Sequence, residues 1–213
     1  LIMTNSEIRK SAREALTGNW GHAVLFVLLT TAVNMFFGYL SDDRVEVPWL
    51  LALVIFLANI FFSTMITTGY EAFFLSISRG DRLGIGQVID YSFKHFWPFF
   101  KLTLAMGLKI LAWTLLLIIP GIIAGIRYAQ ALNIKIDNPQ VGSFEAIRMS
   151  SELMDGHKWR YFCLQLSFIG WALGCLLTLG IGFLWLASYY KTSMAEFYNL
   201  LISRNGSHSS IEE

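Results

Sequence analysis

Three times along the chain a short charged, amphipathic stretch closes on a tryptophan and runs straight into a long apolar segment. The stretches are Leu16-Thr17-Gly18-Asn19-Trp20, Phe93-Lys94-His95-Phe96-Trp97 and Leu153-Met154-Asp155-Gly156-His157-Lys158-Trp159. After each tryptophan there is enough hydrophobic sequence to cross a bilayer twice, at about 20 apolar residues per crossing. A unit recurring at long period governs any local reading. This one predicts an all-α membrane protein with six transmembrane helices in three pseudo-repeated hairpins, each preceded by an amphipathic interfacial helix. The charge content argues against a water-soluble fold. Of 213 residues, 55% are hydrophobic and 15% charged, against about 25% charged in soluble domains. A net charge of +1 provides no basic field for nucleic acid, so none is expected as a partner.

The expected spans are 20–40, 49–76, 97–119, 121–136, 161–178 and 182–201, in one polytopic domain over 1–204 followed by a polar tail at 205–213. Lysine and arginine orient them. Arg9, Lys10 and Arg13 precede the first span. Arg79, Arg82 and Lys94 lie between the second and third, and Lys135, Arg148, Lys158 and Arg160 between the fourth and fifth. Lys191 and Arg204 mark the chain's end. The loop 41–47 has Arg44 against Asp42, Asp43 and Glu46, and the other two hairpin turns lack Lys and Arg. The pattern places both termini in the cytoplasm. The span at 121–136 is short and carries Arg127; it is kept because omitting it would put the basic segment 135–160 outside.

Several motifs then stand in order: Leu117-Ile118-Ile119-Pro120-Gly121-Ile122, Asp137-Asn138-Pro139, Glu145-Ala146-Ile147, Gly156-His157-Lys158-Trp159, Leu166-Ser167-Phe168-Ile169-Gly170-Trp171 and Leu177-Thr178-Leu179-Gly180-Ile181-Gly182. Together they resemble a bacterial integral-membrane family catalogued as domain of unknown function 975. The likeness is close over 112–201, and Ala15-Leu16-Thr17-Gly18-Asn19-Trp20-Gly21 also looks like the family's start. The resemblance implies a multi-pass protein of a bacterial plasma membrane. It brings no activity, substrate or catalytic residue. Where the family tends to have Pro-Tyr after the last turn, this chain has Ala187-Ser188-Tyr189, so the last helix is expected to run straighter.

The amphipathic segments are expected to lie in the headgroup plane with their apolar sides down. Ser143 caps a helix over 144–155 that stops at Gly156, and Ile8, Ala12, Ala15 and Leu16 line one side of the first. Trp20, Trp97 and Trp159 are then interfacial anchors. The segments serve as plain anchors or as a docking surface for a partner or anionic lipid.

Ionisable side chains inside spans cost about 2.5–3.5 kcal/mol near the centre and face a bundle interior or cavity. Lys101 is near enough to Trp97 to snorkel. Lys109, Arg127 and Lys191 are deeper, with Glu71 and Glu196 toward the inner ends of the second and sixth spans. Arg127 and Lys191 each stand beside a tyrosine, Tyr128 and Tyr190, where the first hairpin has Tyr70-Glu71. These residues form structural ion pairs, a site for an anionic ligand such as a lipid phosphate or small anion, or a proton or ion relay. Gly170 and Gly174, in a small-xxx-small spacing, are expected to serve internal helix packing.

Ser188-Tyr189-Tyr190-Lys191 matches a Ser-x-x-Lys spacing with none of its companions. His22, His95 and His157, near Asp90 and Asp155, lack metal-ligand spacing, and no cofactor motif is present. The expected function is that of a non-enzymatic membrane protein binding lipid or a membrane partner. The alternative is a small transporter or lipid-translocating protein with an intramembrane cationic site. A membrane-embedded enzyme ranks last.

Overall fold

The computed structural model of the protein describes residues 3–40, 48–81, 83–176, 178 and 180–209. The acidic loop 41–47 with Asp42, Asp43, Arg44 and Glu46, the basic Arg82, Leu179 of the last turn and the final residues of the tail, 210–213, lie outside the described residues. All regular structure among the described residues is helical. In order the helices are α1 (Asn5–Leu16), α2 (Trp20–Leu40), α3 (Trp49–Ser78), α4 (Ile85–Lys94), α5 (Phe96–Leu116), α6 (Ile118–Arg127), α7 (Ala131–Asp137), α8 (Ser143–Leu153), α9 (Lys158–Leu176) and α10 (Gly182–Ser209).

Three helices among the described residues are long and apolar enough to cross a membrane: α2 over Trp20–Tyr39, α3 over Trp49–Ser78 and α5 over Phe96–Leu116. This corrects the expectation of six such helices in three equivalent hairpins. The stretch expected to span at 121–136 lies in two short helices, α6 of 10 residues and α7 of 7, with a break at 128–130. At 1.5 Å per residue each covers about 15 Å or less, half a hydrocarbon core. α9 has 19 residues but includes Lys158, Arg160 and Gln165. α10 has 28 residues but carries Ser188, Lys191, Thr192, Ser193 and Glu196 through its middle. Length alone does not make a lipid-facing helix.

α5 and α6 form a tight antiparallel pair about Leu117. A Cβ on Gly121 would lie 2.9 Å from Thr114 Cα, so this approach requires glycine. Gly69 of α3 plays the same part toward α4, where a Cβ would meet Val88 Cγ1 at 2.9 Å. Gly170 and Gly174 have open space around them. Their expected role in internal packing is corrected: that strip of α9 faces outward.

The short amphipathic helices form as their sequences dictate. α1 opens on a capping box in which the Thr4 hydroxyl accepts from the Glu7 N–H and the Glu7 carboxylate accepts from the Thr4 N–H. Its Ile8, Ala12 and Leu16, spaced one turn apart, are all buried. The helix expected over 144–155 with Ser143 as its cap is corrected: α8 runs Ser143–Leu153 with Gly142 at the N-cap and no side-chain cap. The Ser143 hydroxyl donates instead to the Pro98 carbonyl at 3.4 Å, and Gly156, at φ +72°, lies in the turn beyond the helix end. The apolar faces cover other helices rather than lipid. Ile8 clusters with Met154, Tyr161, Phe197 and Leu201. Leu16 and Val88 cluster with Phe26 and Phe73. Ala146 and Ile147 cluster with Leu102, Tyr128 and Tyr198. What α4 and α8 leave outside is aromatic or aliphatic as well: Ile89, Phe93 and Phe144 are exposed. Trp97 and Trp159 are 65% and 74% exposed, whereas Trp20 packs against the Phe26–Phe73 cluster.

α10 is the axis of the fold, packing against α1, α2, α3 and α9. Its second half contributes Met194, Phe197 and Leu201 to one cluster and Ala195 and Tyr198 to another. α1, α4 and α8 gather at this end of the bundle, the basal end. The opposite, distal half exposes Trp49, Val54, Leu115, Leu116, Ile119 and Trp171.

Candidate functional site

Partly buried polar residues of α3, α9 and α10 meet at mid-bundle. Lys191 Nζ pairs with the Glu71 carboxylate, and the two side chains are 29% and 17% exposed. The ammonium also sits 5.4 Å from the centre of the Tyr70 ring. An ion pair out of bulk water needs such added partners to offset its desolvation. Next to it, Gln165 Nε2–H donates to the Tyr190 hydroxyl at 3.1 Å. Phe168 is met edge-on by Tyr189 and Tyr190, with ring centres 5.2 and 5.3 Å away.

A lateral groove of about 500 Å³ opens beside this polar centre, between α2, α9 and α10. Val27, Phe168, Leu184 and Ala187 make apolar walls, and Thr31, Gln165 and Tyr190 supply the polar groups. Apolar walls with a few fixed polar atoms are the usual form of a small-ligand site.

The other expected residues lie elsewhere. The Lys109 ammonium sits 5.8 Å from the centre of the Tyr128 ring and 5.4 Å from that of Phe144, flanked by aromatic faces rather than by a carboxylate. Arg127 ends α6 at the helix break, and its Nε is buried without a hydrogen bond. Glu196 hydrogen-bonds with Ser11 of α1. The expected constellation therefore divides: Lys191, Glu71 and Tyr190 surround the α3–α10 contact, Lys109 and Tyr128 meet at α5–α6, and Arg127 marks the break.

Two polar devices were not legible as sites in the sequence. Ser150 of α8, fully buried, donates from its hydroxyl to the Arg127 carbonyl at 2.9 Å and accepts from the Gln130 N–H at 3.2 Å. One side chain thereby joins the groups left on either side of the break. At the basal end Arg79, the C-cap of α3, binds Asp137 at the end of α7 through two bonds of 2.6 and 2.8 Å. Tyr198 donates to the same carboxylate at 2.9 Å, and Arg79 Nε–H donates to Asn199 at 3.1 Å. The bond to Asp137 raises the Arg79 guanidinium above its already high ordinary value. The signal available was a charged residue at each of two helix ends.

The catalytic spacings stay unassembled. Ser188 Oγ donates to the Leu184 carbonyl at 3.1 Å while Lys191 turns to Glu71. Among the described residues no group of three or more His, Cys, Asp or Glu could hold a metal ion, and Cys163 and Cys175 are free thiols.

Helices that bury ion pairs among themselves yet turn long apolar faces outward are built for lipid on the outside, and the protein is a multi-span membrane protein. The chain belongs to the DUF975 family, proteins of unknown function, whose family model matches residues 3–123 and 104–205. No curated protein and no solved structure matches it.

Proposed function

We propose that this is a non-enzymatic membrane protein that holds a lipid in the lateral groove between α2, α9 and α10. The observation that carries this reading is the groove's composition: apolar walls open sideways, with Gln165 and Tyr190 hydrogen-bonded at its floor next to the Lys191–Glu71 pair. Acyl chains fit the walls, and the floor offers a hydroxyl and an amide to a headgroup or ester oxygen. A translocation path would need its cations around one shared cavity. Lys191 is instead held by Glu71 and Lys109 by two rings, which favours binding over transport.

The same reading puts the basal end in the cytoplasm. α1 packs beside the second half of α10, and the Asn5 side-chain N–H donates to the Arg160 carbonyl at 3.3 Å, so the basic segments around Arg9, Lys10 and Arg13 and around Lys158 and Arg160 share one end.

Native mass spectrometry of the protein extracted in mild detergent tests the groove. The wild type should retain a lipid. Ala187→Trp, which fills the groove, and Gln165→Leu, which removes a floor group, should lose most of it. A wild type that carries no lipid, or an Ala187→Trp variant that carries as much, would overturn the reading.

A further inference from the structure

Lys191 and Lys109 both stand well inside helices of the bundle, and the fold treats them differently. Lys191 has the Glu71 carboxylate. Lys109 of α5 has no acid: among the described residues its ammonium meets the Tyr128 and Phe144 rings and forms no ion pair or hydrogen bond. Glu145, the acid next to Phe144 on α8, is bound twice to Arg148, at 2.5 and 3.1 Å. Lys109 is only half-buried and Phe144 is exposed, so the place is open from outside.

α5 is one of the three helices apolar enough to cross a membrane. A cation on such a helix is costly without an anion, and aromatic faces reduce that cost but leave the charge in place. Side chains on a helix lean toward its N-terminus, which in α5 is the basal end, and Lys109 accordingly reaches Phe144 of α8. α8 lies against the first turns of α5: Ser143 touches the Pro98 carbonyl, and Ala146 and Ile147 pack with Leu102. On its outer side Glu145, Arg148 and Glu152 are exposed. The boundary between headgroups and hydrocarbon therefore runs along α8 on this side, and the Lys109 ammonium ends at that boundary. From there toward the distal half the same face of α5 is bare and apolar: Trp113 and Leu116, one and two turns past Lys109, are exposed.

We propose that Lys109 binds the phosphodiester of an anionic phospholipid at the seam between α5 and α8, with the acyl chains lying along Trp113 and Leu116. The lone ammonium selects a headgroup of net negative charge, because a zwitterionic headgroup brings its own cation to the same place. The site is on a different side of the bundle from the lateral groove of α2, α9 and α10 and does not depend on it.

The test is calorimetric titration of the full chain in detergent with three probes: dihexanoyl phosphatidylglycerol, dihexanoyl phosphatidylcholine and inorganic phosphate. The anionic lipid should saturate at least about fivefold more tightly than the zwitterionic one, and phosphate should not bind. Lys109→Gln should bring the two lipids to equal affinity, and Lys109→Arg should restore the preference. Phe144→Glu, at an exposed position where folding is undisturbed, supplies an acid beside the ammonium and should also remove the preference. The proposal fails if the wild type binds both lipids equally or neither below roughly 10 mM. It fails too if Lys109→Gln and Phe144→Glu keep the preference, or if inorganic phosphate binds as tightly as the anionic lipid.

Discussion

The basal end and the distal half of this bundle are made from similar apolar residues and are held together differently. At the basal end the large side chains Tyr198, Phe197, Phe74, Phe99, Ile8 and Leu16 are fully buried. Several polar groups there bond one another across helices, as in Arg79–Asp137–Tyr198 and Ser150 across the α6–α7 break, although the buried Arg127 Nε has no hydrogen bond. In the distal half α3 leaves Trp49, Leu50, Val54 and Phe56 exposed, and the α5–α6 turn leaves Leu115, Leu116, Leu117, Ile118 and Ile119 exposed. A helix in lipid gains nothing from hiding leucine from its solvent; packing and polar closure must hold it. The basal end has those interactions. Among the described residues the distal half has the close approaches of Gly121 to Thr114 and of Gly182 to Thr178 and Cys175, both between neighbouring segments of the chain.

If that contrast is right, equal substitutions at the two places should give unequal losses. Phe197→Ala, at a fully buried basal position, should cost about 3–5 kcal/mol, and Phe36→Ala, at a distal position 59% exposed, within about 0.5 kcal/mol. Unfolding in mixed micelles would measure both, and similar losses would erase the distinction. Asp137→Ala strips Arg79 and Tyr198 of their shared acceptor. With Arg79 37% exposed, water softens the loss to about 2 kcal/mol. Ser150→Ala unbridges the helix break and should cost about 1–2 kcal/mol; hydrogen exchange should rise at 130–131 and stay unchanged in α2. The smallest effect is expected for Lys94→Ala. Its partner Asp90 is on the same helix and both side chains are more than 60% exposed, so a change within about 0.5 kcal/mol is expected. A larger loss would mean that the pair belongs to a network.

Local signals in the sequence carried the elements. The apolar spacing of Ile8, Ala12 and Leu16 makes α1, Gly156 ends the turn after α8, and the tryptophan-led apolar runs make α2 and α5. What failed was the count of membrane-crossing helices, because two features depend on distant partners. The break at 128–130 is stabilised by Ser150, some twenty residues on. The polar middle of α10 is tolerated because Glu71 of α3 meets Lys191. An amphipathic pattern likewise gives a face but not its cover, and protein rather than lipid covers α1. Of the expected site residues, the Glu71–Lys191 attraction was foreseeable from opposite charge in equivalent places. The separation of Lys109 from that pair, and the roles of Gln165 and Asp137, required three dimensions.

The central claim is that lipid is the solvent of the distal half and protein that of the basal core. Spin labels at Val54, on exposed α3, and at Glu152, on the outer face of α8, would test it in bilayers through collisions with oxygen and with a water-soluble nickel chelate. Val54 should meet oxygen and exclude nickel, and Glu152 should meet nickel freely. Ready access of nickel to Val54 would contradict the account.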